Sequence, residues 1–166
     1  MIIFTPNTVI KSADVNLNFT DSLDITKQNN PYKFYAYRST AWTAGIGLIG
    51  LNAELYDTNN NFDSTTNYRY DVPVTGYYQI SFGAGCAVTA GTGYYCHVTK
   101  NGSTVLNSSR TISAYTNPGG WFHGTGAGLL YLVTGDYIQL YFSGNSQAGN
   151  YGASLTFMSG YLVSTT

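Results

Sequence analysis

Charge is what this sequence has least of. Seven basic and eight acidic side chains in 166 residues amount to 9% and leave a net charge of -1, where a soluble domain ordinarily carries about a quarter. No basic stripe exists to displace counterions from a polyanion, which excludes a nucleic-acid partner. A surface so poor in charge is expected to be partly covered, by copies of itself or by a larger particle. After Asp136 no ionisable side chain except Tyr follows through Thr166, so that tail is expected to be buried.

Long apolar runs are also missing. None approaches the roughly eighteen residues of a spanning helix, so no membrane role is expected. The start, "MIIFTPNTVIK", has neither the basic n-region nor the continuous apolar stretch of a secretion signal. Synthesis in a cytosol is therefore expected, and the sequons at Asn18, Asn101 and Asn107 read as by-products of an Asn-, Ser- and Thr-rich chain.

Only two cysteines occur, Cys86 and Cys96. Both fall on the apolar alternation of a hairpin expected to turn at "AGTG" (90–93). They can be buried thiols acting as small hydrophobes, or a cross-strand disulfide if assembly is not cytosolic. Without a CxxC pair a structural zinc site is not expected.

Catalytic vocabulary is equally thin. His97 and His123 are the only histidines, there is no GxSxG elbow, and Cys96 and His97, adjacent in a strand, point to opposite faces. A cross-strand hydrogen bond is the expected role of His97. "GIGLIG" (45–50) matches G-x-G-x-x-G, but an acidic, Asn-rich loop follows it where a dinucleotide fold needs a helix. Asp57, Asp63 and Asp71 share "YDTNNNFDSTTNYRYD" with Asn59, Asn60 and Asn61, oxygen ligands of the kind that hold Ca²⁺, yet the spacing fits no EF-hand and a solvated turn is the better reading. Asp136, in "TGD", belongs to a turn. No catalytic residue, metal or cofactor is assigned.

What the chain does have is 16 Tyr, 19 Gly and many Thr, Ser and Asn, residues that suit pleated surfaces and tight turns. Residues 1–30 carry five of the fifteen charges, and "SADVNLNF" could open a short helix capped by Ser12; "KQNNP" reads as a linker. From Tyr32 onward, turn signals alternate with short runs such as "YKFYAY", "YYQISF", "YYCHV", "GLLYLV" and "YIQLYF", the spacing of a sandwich, barrel or jelly roll. "KNGS" (100–103) is the strongest hairpin signal. In "YDVPVTGYYQISF" (70–82), Tyr78, Ile80 and Phe82 share a core-facing side, while Tyr77 and Gln79 face either a neighbouring subunit or the other sheet. In "NPGGWFHGTG", Trp121, Phe122 and His123, with Tyr115 upstream, are candidate ligand or subunit contacts.

The order of these motifs resembles the trimeric jelly rolls of the complement globular-head and tumour necrosis factor superfamily. "PVTGYYQISF" matches its P-x-x-G-x-Y-x-x-S-F pattern, "VTKNGSTV" its Lys-Asn-Gly hairpin, "GLLYLVTGDYIQLYF" its Leu-x-x-Gly-Asp strand pair, and "SLTFMSGYLV" its closing strand. The resemblance covers about residues 31–166 and implies an all-β, ten-strand antiparallel jelly roll, a homotrimer with aromatics around the three-fold axis. A second resemblance lies in "FTPNTVIKSADVNLNF" (4–19). Phe4, Thr8, Ile10, Ser12, Val15, Asn16, Asn18 and Phe19 match a segment that attaches trimeric appendages in tailed-bacteriophage fibre and virion proteins. Together they imply an attachment segment (1–30), extended or short-helical, and a head (31–166). The expected function is a non-enzymatic virion tail-fibre, spike or head-fibre tip, partnered by other virion proteins and a host surface glycan. A capsid decoration protein is the near alternative; a carbohydrate-active enzyme or a secreted cytokine-like ligand is the remote one.

Overall fold

A computed structural model describes residues 30–44, 46–87, 93–107, 111–112, 121–144, 147–149 and 151–165. The chain separates into two units, Met1–Asn30 and Pro31–Thr166, and the account below concerns the second; the attachment segment and its Ser12 cap lie outside the described residues.

Among the described residues there is no helix and there are fourteen strands: β1 (Lys33–Tyr37), β2 (Trp42–Ala44), β3 (Gly47–Leu48), β4 (Ala53–Asp57), β5 (Phe62–Asp63), β6 (Arg69–Asp71), β7 (Gly76–Ala87), β8 (Gly93–Lys100), β9 (Ser103–Asn107), β10 (Thr111–Ile112), β11 (Trp121–Leu132), β12 (Tyr137–Ser143), β13 (Gln147–Gly149) and β14 (Phe157–Thr165). Every pairing is antiparallel. The first sheet runs β4, β1, β14, β7, β11, with β13 and β2 continuing beside the far end of β7; the second runs β5, β6, β12, β8, with β9 and β10 beside β8 and β3 beside β12. These strands make a two-sheet antiparallel jelly roll, the fold class expected from the sequence.

Alternation builds the core. In β7 the side chains of Tyr78, Ile80, Phe82, Ala84 and Cys86 are buried while Tyr77, Gln79 and Ser81 face outward; in β12 the buried set is Ile138, Leu140 and Phe142. Aromatic rings join the layers. Phe34 of the first sheet stacks on Tyr70 of the second at 4.2 Å between centroids, and Tyr70 meets Tyr78 edge-on at 6.2 Å. Burial pushes the Tyr70 phenol well above its ordinary range, which keeps it neutral in the core.

Two expectations about connections part company. "KNGS" is a two-residue hairpin: Lys100 pairs with Ser103, and Asn101 and Gly102 take φ of 50° and 82°, the left-handed pair that such a turn requires. The cysteine hairpin does not exist as such. β7 pairs with β11, β14 and β13, whereas β8 pairs with β12, β9 and β10, so the chain changes sheets between Ala87 and Gly93. Cys86 and Cys96 therefore lie on different sheets, both wholly buried and neither in a disulfide. Burial and the neighbouring Cys96 push the Cys86 thiol up to about 12, while Cys96 Sγ donates to the Gly124 carbonyl at 3.3 Å.

The tail after Asp136 is also corrected. Only one side of it is buried: Met158 and Gly160 face the core, whereas Tyr161 and Val163 are about half exposed. His123 lies in the twelve-residue β11. The inward positions of this strand include Gly124, Gly126, Gly128, Leu130 and Leu132, and at Gly126 and Gly128 the opposing side chains leave no room for a Cβ. A Cβ on Gly126 would stand 2.4 Å from Phe82 Cζ, and one on Gly128 2.5 Å from Leu106 Cδ2.

Gly126→Ala should therefore force Phe82 aside and destabilise the head by about 1–3 kcal/mol, a fall in Tm of roughly 3–10 °C. An unchanged melting curve in calorimetry would mean that Phe82 does not fill this space.

Candidate interaction surface

The outer face of the first sheet is set by register. One row across the strands reads Tyr131, Tyr77 and Ser164; the next reads Leu129, Gln79, Tyr161 and Lys33; a third reads Ala127, Ser81, Ser159, Tyr35 and Tyr56. Tyr77, Tyr131, Leu129, Tyr161 and Val163 are all between 42% and 55% exposed, and Lys33 is the one charged side chain in these rows. Tyr77 and Tyr131 lean together with centroids 5.3 Å apart. Tyr35 is fixed on both sides, stacked on Phe157 at 5.4 Å and donating its hydroxyl to the Ala153 carbonyl at 2.6 Å. Tyr77 and Gln79 thus face away from the molecule and not toward the other sheet. Clustered, rigid, uncharged aromatics on a broad sheet are the composition of a surface covered by a partner.

Of the other sequence candidates, Tyr115 and the attachment residues lie outside the described residues. Trp121 and Phe122 open β11, paired with Ala87 and Cys86. His123 is exposed on the outer side of that strand, and its Nε2 lies 2.9 Å from the Leu155 carbonyl. It ties the 151–156 segment to the sheet edge.

His97 lies on the outer face of the second sheet. In place of the expected cross-strand hydrogen bond it makes a ring stack, with Tyr141 at 5.7 Å and Tyr95 at 5.5 Å, and its Nδ1 has no hydrogen-bond partner. Burial lowers its pKa and keeps the imidazole neutral.

The acidic loop spends its oxygens locally. Asp63 accepts from the amides of Thr65, Thr66 and Asn67 and from the Thr65 hydroxyl and Asn67 amide group, bonds that hold its carboxyl far below the usual range. Asp57 accepts from the Phe62 amide at 2.6 Å, and Asp71 pairs with Arg69 at 2.9 Å. No group of three or more potential metal ligands gathers among the described residues, and GIGLIG contributes the two-residue β3 in place of a helix start.

Asp136 ties three turns together. It accepts from the Val133 amide at 2.9 Å and from the Asn101 side chain at 2.6 Å, with Lys100 Nζ at 3.4 Å, and its own backbone oxygen accepts from Val72 N–H at 2.8 Å. Partial burial opposes the charge, but the Val133 and Asn101 hydrogen bonds and the lysine outweigh it, so the carboxyl is held below its ordinary value.

No protein-family model and no curated protein sequence matches the chain. Solved structures do. Eiger TNF from S. frugiperda superposes with a TM-score of 0.66 at 13% identity, over 81% of this chain and 93% of that one. The globular domain of zebrafish complement 1qA gives 0.59 at 16% identity, over 81% and 98%, and murine APRIL gives 0.60 at 13%, over 79% and 98%. At such identities the likeness establishes the fold.

A carboxyl with a lowered folded pKa adds stability above its unfolded value near 3.9, and that contribution is lost as pH falls through the folded value. Asp136→Asn should therefore destabilise the head at pH 7 by about 1–3 kcal/mol, and the gap between variant and parent should narrow as pH falls below the unfolded value. Urea titrations at pH 7, 4 and 2.5 check this; a gap that is constant with pH would show that the charge contributes nothing.

Proposed function

We propose that the chain is a non-enzymatic, homotrimeric virion component of a tailed bacteriophage, held to the particle by residues 1–30 and displaying its jelly-roll head toward the host surface. The observation that carries the assembly is the outer face of the first sheet, where Lys33 is the one charged side chain in the rows of exposed Tyr and Leu. Leu129, Tyr77, Tyr131, Tyr161 and Val163 are exposed in the isolated chain, and burying each large side chain of this kind is worth about 1.5–3 kcal/mol. Closed three-fold association covers that face on every copy at once. The virion setting is supported by the residues Phe4 to Phe19 and by the scarcity of charge. Three equivalent sites on one trimeric head gain avidity from weak individual contacts. A capsid decoration protein would use the same two parts, and labelled-antibody electron microscopy of particles separates tail from shell.

The likeness to animal TNF and complement heads favours a second reading, a ligand head that acts away from any particle. Both readings use the same sheet for assembly and differ in what residues 1–30 do.

Light scattering of the purified chain should give a trimer at micromolar concentration. Tyr161→Lys combined with Leu129→Lys should give a folded monomer, because each buried ammonium opposes association by several kcal/mol; a stable monomer of the parent chain would refute the assembly. Removing residues 1–30 should leave a trimer that is absent from particles, and its normal incorporation would refute the anchor.

A further inference from the structure

The outer face of the second sheet has a different chemistry from that of the first. Strand alternation places Tyr95, His97 and Thr99 of β8, Gln139 and Tyr141 of β12, and Leu48 of β3 on this side. Leu48 and Tyr141 are directly paired, as are Tyr141 and His97. The rings of Tyr95, His97 and Tyr141 form one continuous row, with centroids 5.5 and 5.7 Å apart and planes inclined by 33° and 27°.

Gln139 and Thr99, paired with each other, adjoin this row on the same face. Gln139 is 8% exposed and donates its amide to the Asn67 carbonyl at 2.8 Å, while Thr99 is 3% exposed. Thr99 Oγ1 and His97 Nδ1 are both buried without a hydrogen-bond partner. Two orphaned polar atoms two residues apart on one strand face are uncommon in a native fold, where such groups are satisfied by protein, water or ligand. Charge is nearly balanced here, since Arg69 pairs with Asp71 at 2.9 Å and its guanidinium lies 4.7 Å over the Tyr137 ring.

We propose that this face, centred on the row Tyr95, His97 and Tyr141, is a binding site for a neutral oligosaccharide. A pyranose ring offers apolar C–H groups to aromatic surfaces and hydroxyls that both donate and accept. Tyr95, His97 and Tyr141, each partly exposed, complement it with aromatic surface and polar ring groups; the locally cancelled charges match an uncharged ligand. The site lies on the sheet opposite the one used for assembly, so three copies would present three sites. The proposal rests on the preceding reading only for that multiplicity and display.

Isotope-labelled full-length protein titrated with maltohexaose, chitohexaose and a galactose hexamer, beside the anionic hexagalacturonate, tests it by NMR. A neutral hexamer should shift the amides of Tyr95, His97 and Tyr141, with affinity reduced about tenfold by Tyr141→Ala and less by Tyr141→Phe. Circular dichroism confirms that each variant is folded, and if Tyr141→Ala is not, Tyr141→Phe carries the comparison. No shift with any neutral hexamer, shifts confined to the first sheet, preference for the galacturonate, or unchanged affinity in the folded variants would overturn the site. Light scattering of the same samples keeps the two readings apart: a trimer that binds no sugar refutes this site alone, and a monomer that binds it refutes the assembly alone.

Discussion

The hold of β7 between β11 and β14 positions everything else in the head. Along Gly76–Leu132 and back to Gly83–Phe157, this strand is paired on both edges, and its inward row fills the centre of the core. The fit is tight because Phe82 lies flat against a strand that has glycine at the matching positions. Those glycines bring β11 close enough for its outward residues to continue the face of β7. The interaction surface thus follows from a packing requirement on the hidden side of the same strands.

The two outer faces divide the chemistry. Tyrosine suits both, because it carries apolar area at low entropic cost and a hydroxyl that tolerates water. On the first sheet it is mixed with Leu129 and Val163, which favours permanent cover; on the second it is mixed with His97, Thr99 and Gln139, which favours polar contacts. Scarce charge is then a property of the surface. Among the described residues, Asp63 and Asp136 organise turn backbone, and Arg69 pairs with Asp71 as Lys100 does with Asp136.

Much of the fold was legible in the residues. Asn-Gly at 101–102 demands left-handed backbone, so the β8 and β9 hairpin follows from local chemistry, and the period-two run Tyr78, Ile80, Phe82 identifies the core side of β7. Connections between sheets were not legible, since the alternation of β7 and β8 is the same whether the two strands pair as a hairpin or belong to different sheets. The tail was misread because lack of charge was equated with burial, although Tyr161 and Val163 alternate with Met158 and Gly160 in plain view. The reason for the glycines of β11, the Phe82 ring and the Leu106 methyls, comes from distant strands and was not legible. Of the candidate site, Tyr77 and Gln79 were noticed as an open face; its extension to Leu129, Tyr131 and Tyr161 required the register.

The central claim is that copies of this chain cover the outer face of the first sheet. Hydroxyl-radical footprinting of the intact protein in solution, read by mass spectrometry, tests it residue by residue. Tyr77, Tyr131, Leu129 and Tyr161, as exposed in the single chain as Tyr151 in its loop, are predicted to be protected while Tyr151 is oxidised. Oxidation of Tyr161 and Leu129 at the rate of Tyr151 would contradict the account.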